Sequence, residues 1–157
     1  MTARAQVGVE DIAAVAATLE FDQLDAFLGF HVRQAQGTLH RKIIAALSGM
    51  ELTQKLAAVV WLVGANPGTS QIAIGGALRM DRATTMNLVD KLEARGAVVR
   101  QRSIVDRRRH ELYLTPTGQA LLVKVKATVK DLERQFAERF SSEELETLVR
   151  LLKRLYL

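Results

Sequence analysis

The positive charge of this sequence is concentrated in one segment, residues 79–110. Nine arginine and lysine residues and four acidic residues lie there, a net charge of +5 that equals the formal charge of the whole 157-residue chain. Guanidinium and ammonium groups bind phosphate, so this concentration is typical of a surface that meets a polyanion, most often nucleic acid. A charge cluster alone is usually a solvated face, and for Lys91 and Arg95 by themselves the two interpretations are equally good.

One face of the helix predicted within this segment carries slim side chains. A DNA major groove is about 12 Å wide, so a helix that enters it needs small groups that hydrogen-bond base edges or touch thymine methyl groups. Thr84 and Asn87 suit the first task, and Ala83 and Met86 suit the second, although methionine also fills gaps in cores. Cations at the margins would meet phosphates or a guanine edge. The predicted DNA-reading face comprises Arg82, Ala83, Thr84, Met86, Asn87 and Lys91.

A second basic feature lies between two short apolar runs that are typical of strands. Residues 100–110 are long enough for a β-hairpin with a basic tip, which would carry Arg107, Arg108 and Arg109. A narrow A·T-rich minor groove attracts inserted arginine side chains. We therefore expect these arginines to reach a minor groove.

Composition argues against several other kinds of site. The chain has no cysteine, which excludes disulfides, thiolate metal sites and thiol redox chemistry. His31, His40 and His110 are too scattered for a metal site argued from spacing. No nucleophile–base pair, phosphate-binding glycine loop or carboxylate dyad is recognisable, so we expect neither an enzyme nor a cofactor.

The sequence also lacks targeting and membrane signals. Glu10 and Asp11 interrupt the N-terminal apolar stretch, which therefore fails as a signal peptide. No run approaches the roughly 20 apolar residues that a membrane helix requires. We expect a cytoplasmic protein with no membrane partner.

Apolar periodicity and capping residues predict the elements that would position the basic segment. Thr53, Ser70 and Asp81 stand where helix N-caps are expected, and Thr115-Pro116 is an N-cap followed by proline at the first helical position. The predicted helices span residues 22–47, 54–65, 71–78, 82–95, 116–140 and 142 onwards, and the predicted strands span 97–99 and 111–114.

Two of these helices carry further packing expectations. Gly75 and Gly76 lower the helix propensity of residues 71–78, so contacts with neighbouring elements must stabilise this short helix. Close approach of another helix would explain the small residues. Its apolar members are Ile72, Ile74, Ala77 and Leu78. On the helix at 82–95, the face predicted to point inward consists of Thr85, Leu88, Val89 and Leu92.

The order of elements predicts a mainly α fold with a small β-hairpin wing. Two short helices joined by a tight turn and followed by a hairpin form a winged helix-turn-helix, which we place at residues 53–114. The helices at 22–48 and 115–157, including a leucine stripe at 145–155, carry surplus apolar surface, which predicts dimerisation. We expect residues 1–21 to form an N-terminal arm and 22–157 a single domain.

Over residues 24–157 the chain resembles the MarR (multiple antibiotic resistance regulator) family of bacterial transcription regulators. The motifs that carry the resemblance are PGTSQ at 67–71, MDRATTMNLVDKLEARGAVVRQRS at 80–103, DRR at 106–108 and LTPTG at 114–118. The resemblance implies a homodimer that presents two winged heads to a pseudo-palindromic operator in double-stranded DNA. It also implies that Asp106 folds back on Arg108 to shape the wing.

The chain departs from the family pattern on the predicted DNA-reading helix. Relatives usually have a valine and then a threonine where this chain has Thr85 and Met86, and an arginine where it has Asn87. The operator preference therefore cannot be inferred from relatives.

Members of the family often bind a ligand between the dimer helices and the DNA-binding head. The candidate lining residues are Phe27, Phe30, His31, Arg33 and Trp61. Aromatic groups with a nearby cation suit an aromatic carboxylate or a larger acyl thioester such as an acyl-CoA. That the aromatic residues are core and Arg33 is merely exposed is at least as good an interpretation.

The leading hypothesis is a dimeric, sequence-specific transcriptional repressor that a small ligand releases from its operator. A constitutive architectural DNA-binding protein without an effector is one alternative. A winged helix that binds an acidic protein instead of DNA is another.

Overall fold

The structure, a computed structural model, describes residues 19–103 and 110–157. The chain divides into two compact units. The first unit ends at Leu39, and the second begins at His40. In the described ranges no single helix is long and apolar enough to cross a membrane. The segments Leu28–Met50 and Gln54–Ala65, which are bent by 72° relative to each other, reach the required length and composition only when they are taken together. The elements are α1 (Leu28–Leu47), α2 (Gln54–Ala65), α3 (Gln71–Ala77), α4 (Arg82–Ala94), β1 (Val98–Arg102), β2 (His110–Leu114), α5 (Pro116–Ala137) and α6 (Ser142–Lys153).

The predicted mainly α fold with a β-hairpin is confirmed, but the first helix starts later than predicted. A single 3-10 turn at Leu24–Ala26 precedes α1, which begins only at Leu28. Asp22 has a left-handed backbone with φ of 51°, and Phe27 is extended with ψ of 128°. Neither conformation continues an α-helix. The apolar periodicity runs through this interruption, so it could not reveal the break.

Helix α2 lies at the centre of the second unit. Its Val59, Val60 and Val63 are fully buried, and the helix packs against α3, α4, β2 and α5. Full burial of each such side chain stabilises the fold by about 1.5–3 kcal/mol. The helix begins as predicted, because the Thr53 hydroxyl accepts the backbone N–H of Leu56 at 3.2 Å. Other fully buried side chains are Leu47, Leu92, Val89, Leu112 and Val125.

The two strands form the predicted antiparallel hairpin, whose register places Arg102 opposite His110. Both strands extend further than predicted, because backbone pairing continues through polar residues. The turn before α3 joins the sheet. There the Gly68 N–H donates to the Leu112 carbonyl at 2.9 Å, and the Leu112 N–H donates to the Thr69 carbonyl at 2.8 Å. The hairpin is thereby anchored to the start of α3.

Side-chain caps begin α5 and α6. The Thr115 hydroxyl accepts the backbone N–H of Gly118 at 3.1 Å, and Ser141 forms a capping box with Glu144. Helix α5 ends at Ala137, a few residues earlier than predicted. All of α6 lies in the described part of the chain, and none of its residues is buried. A single chain therefore leaves its apolar stripe uncovered.

Helices α3 and α4 are in close contact at Gly75. A Cβ at this position would lie 2.8 Å from Thr85 Oγ1 and 3.3 Å from the Met80 carbonyl oxygen. Thr85 is buried, and its hydroxyl donates to the Asp81 carbonyl at 2.9 Å, so it cannot easily move aside. Close approach is thus the reason for glycine at 75. At Gly76 a Cβ would meet no atom within 4 Å.

Asp81 caps α4 with both carboxylate oxygens. One oxygen accepts the Thr84 hydroxyl at 2.6 Å and the other accepts the Thr84 backbone N–H at 2.8 Å. These bonds, the hydroxyl's foremost, hold the pKa of Asp81 below its ordinary value of 3.8 because they stabilise the charged form. In α6, bonds from the Ser141 backbone and then its hydroxyl likewise lower the pKa of Glu144 from 4.5.

The neighbouring glycines of α3 should respond oppositely to alanine. Gly76→Ala should raise the free energy of unfolding by about 1 kcal/mol, because alanine forms helix better and its methyl group meets nothing. Gly75→Ala should lower it by about 1–3 kcal/mol through overpacking. Urea unfolding at one fixed protein concentration measures both, and equal shifts would contradict the close contact.

The Asp81 cap should make stability depend on acidity. Because the folded pKa is lowered, its contribution is fully present above the unfolded pKa of about 3.9 and is lost as pH falls through the folded pKa. The urea midpoint of the wild type should therefore fall more steeply below about pH 4 than that of Asp81→Asn, whose amide caps without titrating. Identical pH profiles for the two proteins would contradict the assigned role.

Candidate nucleic-acid interface

Helix α4 divides into a buried face and an exposed face, as predicted. Thr85, Leu88, Val89 and Leu92 are buried in the core of the second unit. Their burial fixes the rotation of the helix about its axis. Met86 is 51 % exposed, so it is not a core residue in this chain. The exposed side chains of the predicted DNA-reading face are Arg82, Ala83, Met86, Asn87 and Lys91.

Thr84, the remaining member of that face, is half-buried and has a structural role that its position did not reveal. Its hydroxyl donates to Asp81. Since a hydroxyl has one hydrogen, Thr84 can offer a base edge only an acceptor lone pair or its methyl group. Asn87 is exposed, and its amide can donate and accept. Asn87 is therefore the better placed of the two residues for a bidentate contact.

A concavity of about 570 Å³ lies beside this face, between the starts of α3 and α4. Ile72, which is 79 % exposed, and Met86 give it apolar walls. A role for Ile72 in the site could not be predicted, because helical periodicity alone does not say which face of a seven-residue helix is covered. The buried isoleucine of α3 is Ile74. The other lining residues are Ser70, Gln71, Gly75, Gly76, Met80, Arg82, Thr85 and His110.

Arg100 joins three elements through its guanidinium. It forms ion pairs with Asp90 and Glu93 of α4, and its side chain is 19 % exposed. With the Gln71 amide turned so that its oxygen faces the guanidinium, that oxygen accepts from Nε at 3.0 Å and from Nη2 at 2.7 Å. Arg100 of β1 thereby ties α3 and α4 to the hairpin. Its charge is neutralised by protein, so it does not add to the positive surface.

Arg95 also binds protein. Its guanidinium donates to the backbone carbonyls of Glu51 at 2.8 Å and Met50 at 2.9 Å, and lies 3.8 Å from the Glu51 carboxylate. These contacts anchor the end of α4, so a structural role accounts for Arg95. Among the described residues of the basic segment, the exposed cations without such partners are Arg82, Lys91 and Arg102.

The residues predicted at the tip of the wing are Asp106, Arg107, Arg108 and Arg109. All four lie outside the described residues, so their roles stay predictions. The strands that lead to the tip are described, and Arg102 lies opposite His110 at their distal end.

Four of the predicted ligand-binding residues lie in the first unit. The Phe30 ring centroid is 5.5 Å from those of Phe21 and His31. Phe27 and Arg33 are exposed. Phe30 is half-buried, so the aromatic side chains here form a local cluster rather than a buried core.

The fifth predicted ligand-binding residue, Trp61, lies on α2 in the second unit. It is half-buried, and the Lys126 ammonium lies 5.5 Å from its ring centroid. A cation over an aromatic face is an attractive arrangement. Lys126 was not singled out from the sequence, because the contact joins α2 to α5 across a large separation in the chain.

The sequence is similar to known transcriptional regulators. A family model described as MarR family matches residues 48–109. A protein proposed to be the transcriptional regulatory protein for the hcr operon of Thauera aromatica is 37 % identical over 130 residues, which make up 82 % of this chain and 78 % of that protein.

Solved structures with this fold include regulators bound to DNA and to small molecules. The transcriptional repressor CouR bound to a 23-mer DNA duplex superposes with a TM-score of 0.84 and 31 % identity, over 88 % of this chain and 99 % of that chain. CouR bound to p-coumaroyl-CoA gives 0.78 and 29 %, over 87 % and 96 %. The Mycobacterium tuberculosis protein Rv2887 with salicylic acid gives 0.65 and 25 %, over 82 % and 96 %. Together with the winged helix-turn-helix described above, these similarities establish that the chain belongs to the MarR family of transcriptional regulators.

Proposed function

We propose that the protein is a homodimeric, sequence-specific DNA-binding regulator, a repressor that a small ligand releases from its operator. The observation that carries this proposal is the division of α4. Its buried face fixes the helix, and its exposed face offers slim polar and apolar groups flanked by cations. A winged helix-turn-helix presents such a helix to the major groove. The similarity to CouR, which was solved on a DNA duplex, supports the same partner here.

Within the major groove, each exposed group of α4 has a distinct task. Asn87 hydrogen-bonds a base edge, and Ala83 and Met86 contact thymine methyl groups. Arg82 and Lys91 bind phosphates at the margins and set the position of the helix on the duplex. Thr84 contributes a methyl group or an acceptor.

The wing extends the contact to a minor groove. Arg107, Arg108 and Arg109 insert into it, and Asp106 shapes the wing by pairing with Arg108. Arginine is favoured there because a narrow groove concentrates negative potential.

The protein acts as a dimer because its last helix needs a partner. The exposed apolar side chains of α6 and the residues after it include Leu148, Val149, Leu151, Leu152 and Leu155. A second copy covers this stripe and holds two winged heads over successive major grooves of a pseudo-palindromic operator. The heads then meet half-sites about one helical turn, or 34 Å, apart.

The effector is a small aromatic carboxylate or an aromatic acyl thioester. The complexes of CouR with p-coumaroyl-CoA and of Rv2887 with salicylic acid support this chemistry. Trp61 provides a ring for stacking, and Lys126 beside it provides a cation for an anionic group. Phe27, Phe30, His31 and Arg33 of the first unit stay candidate ligand-binding residues from the sequence. Binding shifts the population of dimers toward a head spacing that fits the operator poorly.

We assign the protein no catalytic role and place its action in the cytoplasm, where the DNA of a bacterial or archaeal cell lies. The similarity to CouR, a transcriptional repressor solved on a DNA duplex, supports this assignment.

Two variants should separate phosphate contacts from base contacts. Arg82→Ala should weaken binding to all sequences alike and reduce the slope of log affinity against log salt by about 0.9, the value for one phosphate contact. Asn87→Ala should leave the slope unchanged and relax the preference at one base pair by about 1–3 kcal/mol. Fluorescence anisotropy with DNA flanking the gene, and with single-base variants of it, measures both.

Arg139→Ala is a charge-matched control, since Arg139 is an exposed arginine between α5 and α6. It should leave affinity and slope unchanged. Indistinguishable effects of Arg82→Ala and Asn87→Ala would contradict the division of tasks. Tight binding without base preference would indicate an architectural protein, and the absence of any duplex binding at low salt would indicate a protein-interaction module.

The effector site can be tested through the single tryptophan of the chain. Aromatic acids or their CoA thioesters should quench Trp61 fluorescence and release the labelled operator over the same concentration range, with CoA alone as the control. Lys126→Ala should raise the concentration needed for both effects several-fold, because a cation beside the ring is lost. Quenching without operator release would contradict the regulatory role of this site.

A further inference from the structure

Arg79 occupies the turn between α3 and α4 in an unusual backbone conformation. Its φ of 51° lies in the left-handed region, where glycine fits without strain. Met80 and the Asp81 cap follow directly, so this turn sets where the DNA-reading helix begins. An arginine stands where glycine would be more favourable for the backbone, which directs attention to its side chain.

The Arg79 side chain reaches a part of the chain that is distant in sequence. Its Nη2 donates to the backbone carbonyl of Tyr156, and its guanidinium carbon lies 5.5 Å from the centroid of the Tyr156 ring. A planar guanidinium can hydrogen-bond along its edge and stack through its face. Two different interactions therefore connect the helix-turn-helix turn to the segment that follows α6.

Within one chain, few other contacts hold that segment. Residues 148–157 are all exposed, and α6 contributes no buried residue. Where few buried contacts exist, a single well-placed arginine has a large share in fixing the position of a segment.

We propose that Arg79 is a positioning residue that pins the segment 154–157 to the start of α4. The contact couples the dimerisation helix α6 to the orientation of the DNA-reading helix. This proposal rests on the proposed role of α4 in DNA binding. In this proposal the Arg79 guanidinium binds Tyr156 and not a DNA phosphate, although Arg79 belongs to the basic segment.

Loss of this contact should weaken operator binding. With the contact, the end of α6 and the start of α4 are held before DNA arrives. Without it, their freedom must be lost on binding, which reduces affinity. The backbone itself should not suffer in Arg79→Gly, since glycine adopts the left-handed conformation readily.

The test is a double-mutant cycle in the full chain with Arg79→Gly, Tyr156→Ala and the double variant. Arg79→Gly removes both the hydrogen bond and the stacking, and it should weaken operator binding about fivefold, the lower end of typical couplings between sites. Tyr156→Ala keeps the backbone carbonyl and removes only the stacking, so it should weaken binding by less, and the double variant should bind no more weakly than Arg79→Gly. The salt slope should be unchanged in all three. Tyr156→Phe, which keeps the ring and the backbone carbonyl, is the matched control and should bind like the wild type.

Hydrogen exchange without DNA tests the same contact independently of the proposed function. Amides in the first turn of α4 and in residues 154–157 should exchange faster in Arg79→Gly and in Tyr156→Ala than in the wild type. Unchanged exchange at both places would overturn the proposal, whether or not the protein binds DNA.

Two binding outcomes would also overturn it. If Arg79→Gly reduces the salt slope by about 0.9 both alone and in the Tyr156→Ala background, Arg79 binds a phosphate instead. Fully additive losses would show that Arg79 and Tyr156 act separately. Faster exchange together with a wild type that binds no duplex would uphold the contact and refute the proposed function.

Discussion

The structure depends on holding α4 by one face alone, because the opposite face is the one that we propose to bind DNA. Four side chains of that helix enter the core, and the hydroxyl of the buried Thr85 bonds to the Asp81 carbonyl. Gly75 lets the backbone of α3 approach Thr85 directly. A methyl group at position 75 would collide with the Thr85 hydroxyl. The two helices therefore meet through backbone and hydroxyl atoms, which adapt less than long side chains, and these atoms set the angle between the helices.

The basic segment serves two different purposes, which the total charge conceals. Arg100 is neutralised by Asp90 and Glu93, and Arg95 binds backbone carbonyls after the C-terminal end of α1. The guanidinium groups of Arg95 and Arg100 therefore stabilise the winged helix-turn-helix itself and are not free to bind DNA. Two of the remaining exposed cations, Arg82 and Lys91, lie on the exposed side of α4. Rigid placement of few cations suits a binding surface that must fit a groove, because binding then requires little further ordering.

The local features of the fold could be predicted from sequence, whereas the long-range partners could not. Thr53 and Asp81 cap their own helices three residues away, so short motifs reveal them. The buried face of α4 follows from helical periodicity alone. The partners of Arg100 come from elements that only the tertiary fold brings together. The hydrogen bond of Thr84 to Asp81 and the exposure of Ile72 could not be predicted for a related reason, since both depend on neighbouring residues, which periodicity does not describe.

Local interactions favour the helical conformation of α6 even without a second protein chain. Its capping box, the acidic Glu143 and Glu144 in its first turn and the basic Arg150 and Lys153 in its last turn all stabilise an isolated helix. None of its residues is buried within one chain. A preformed helix loses less conformational freedom when two copies associate. In the proposed dimer, the packing of rigid helices would set the spacing of the two heads, so a ligand that altered this packing would change the fit to an operator without touching α4.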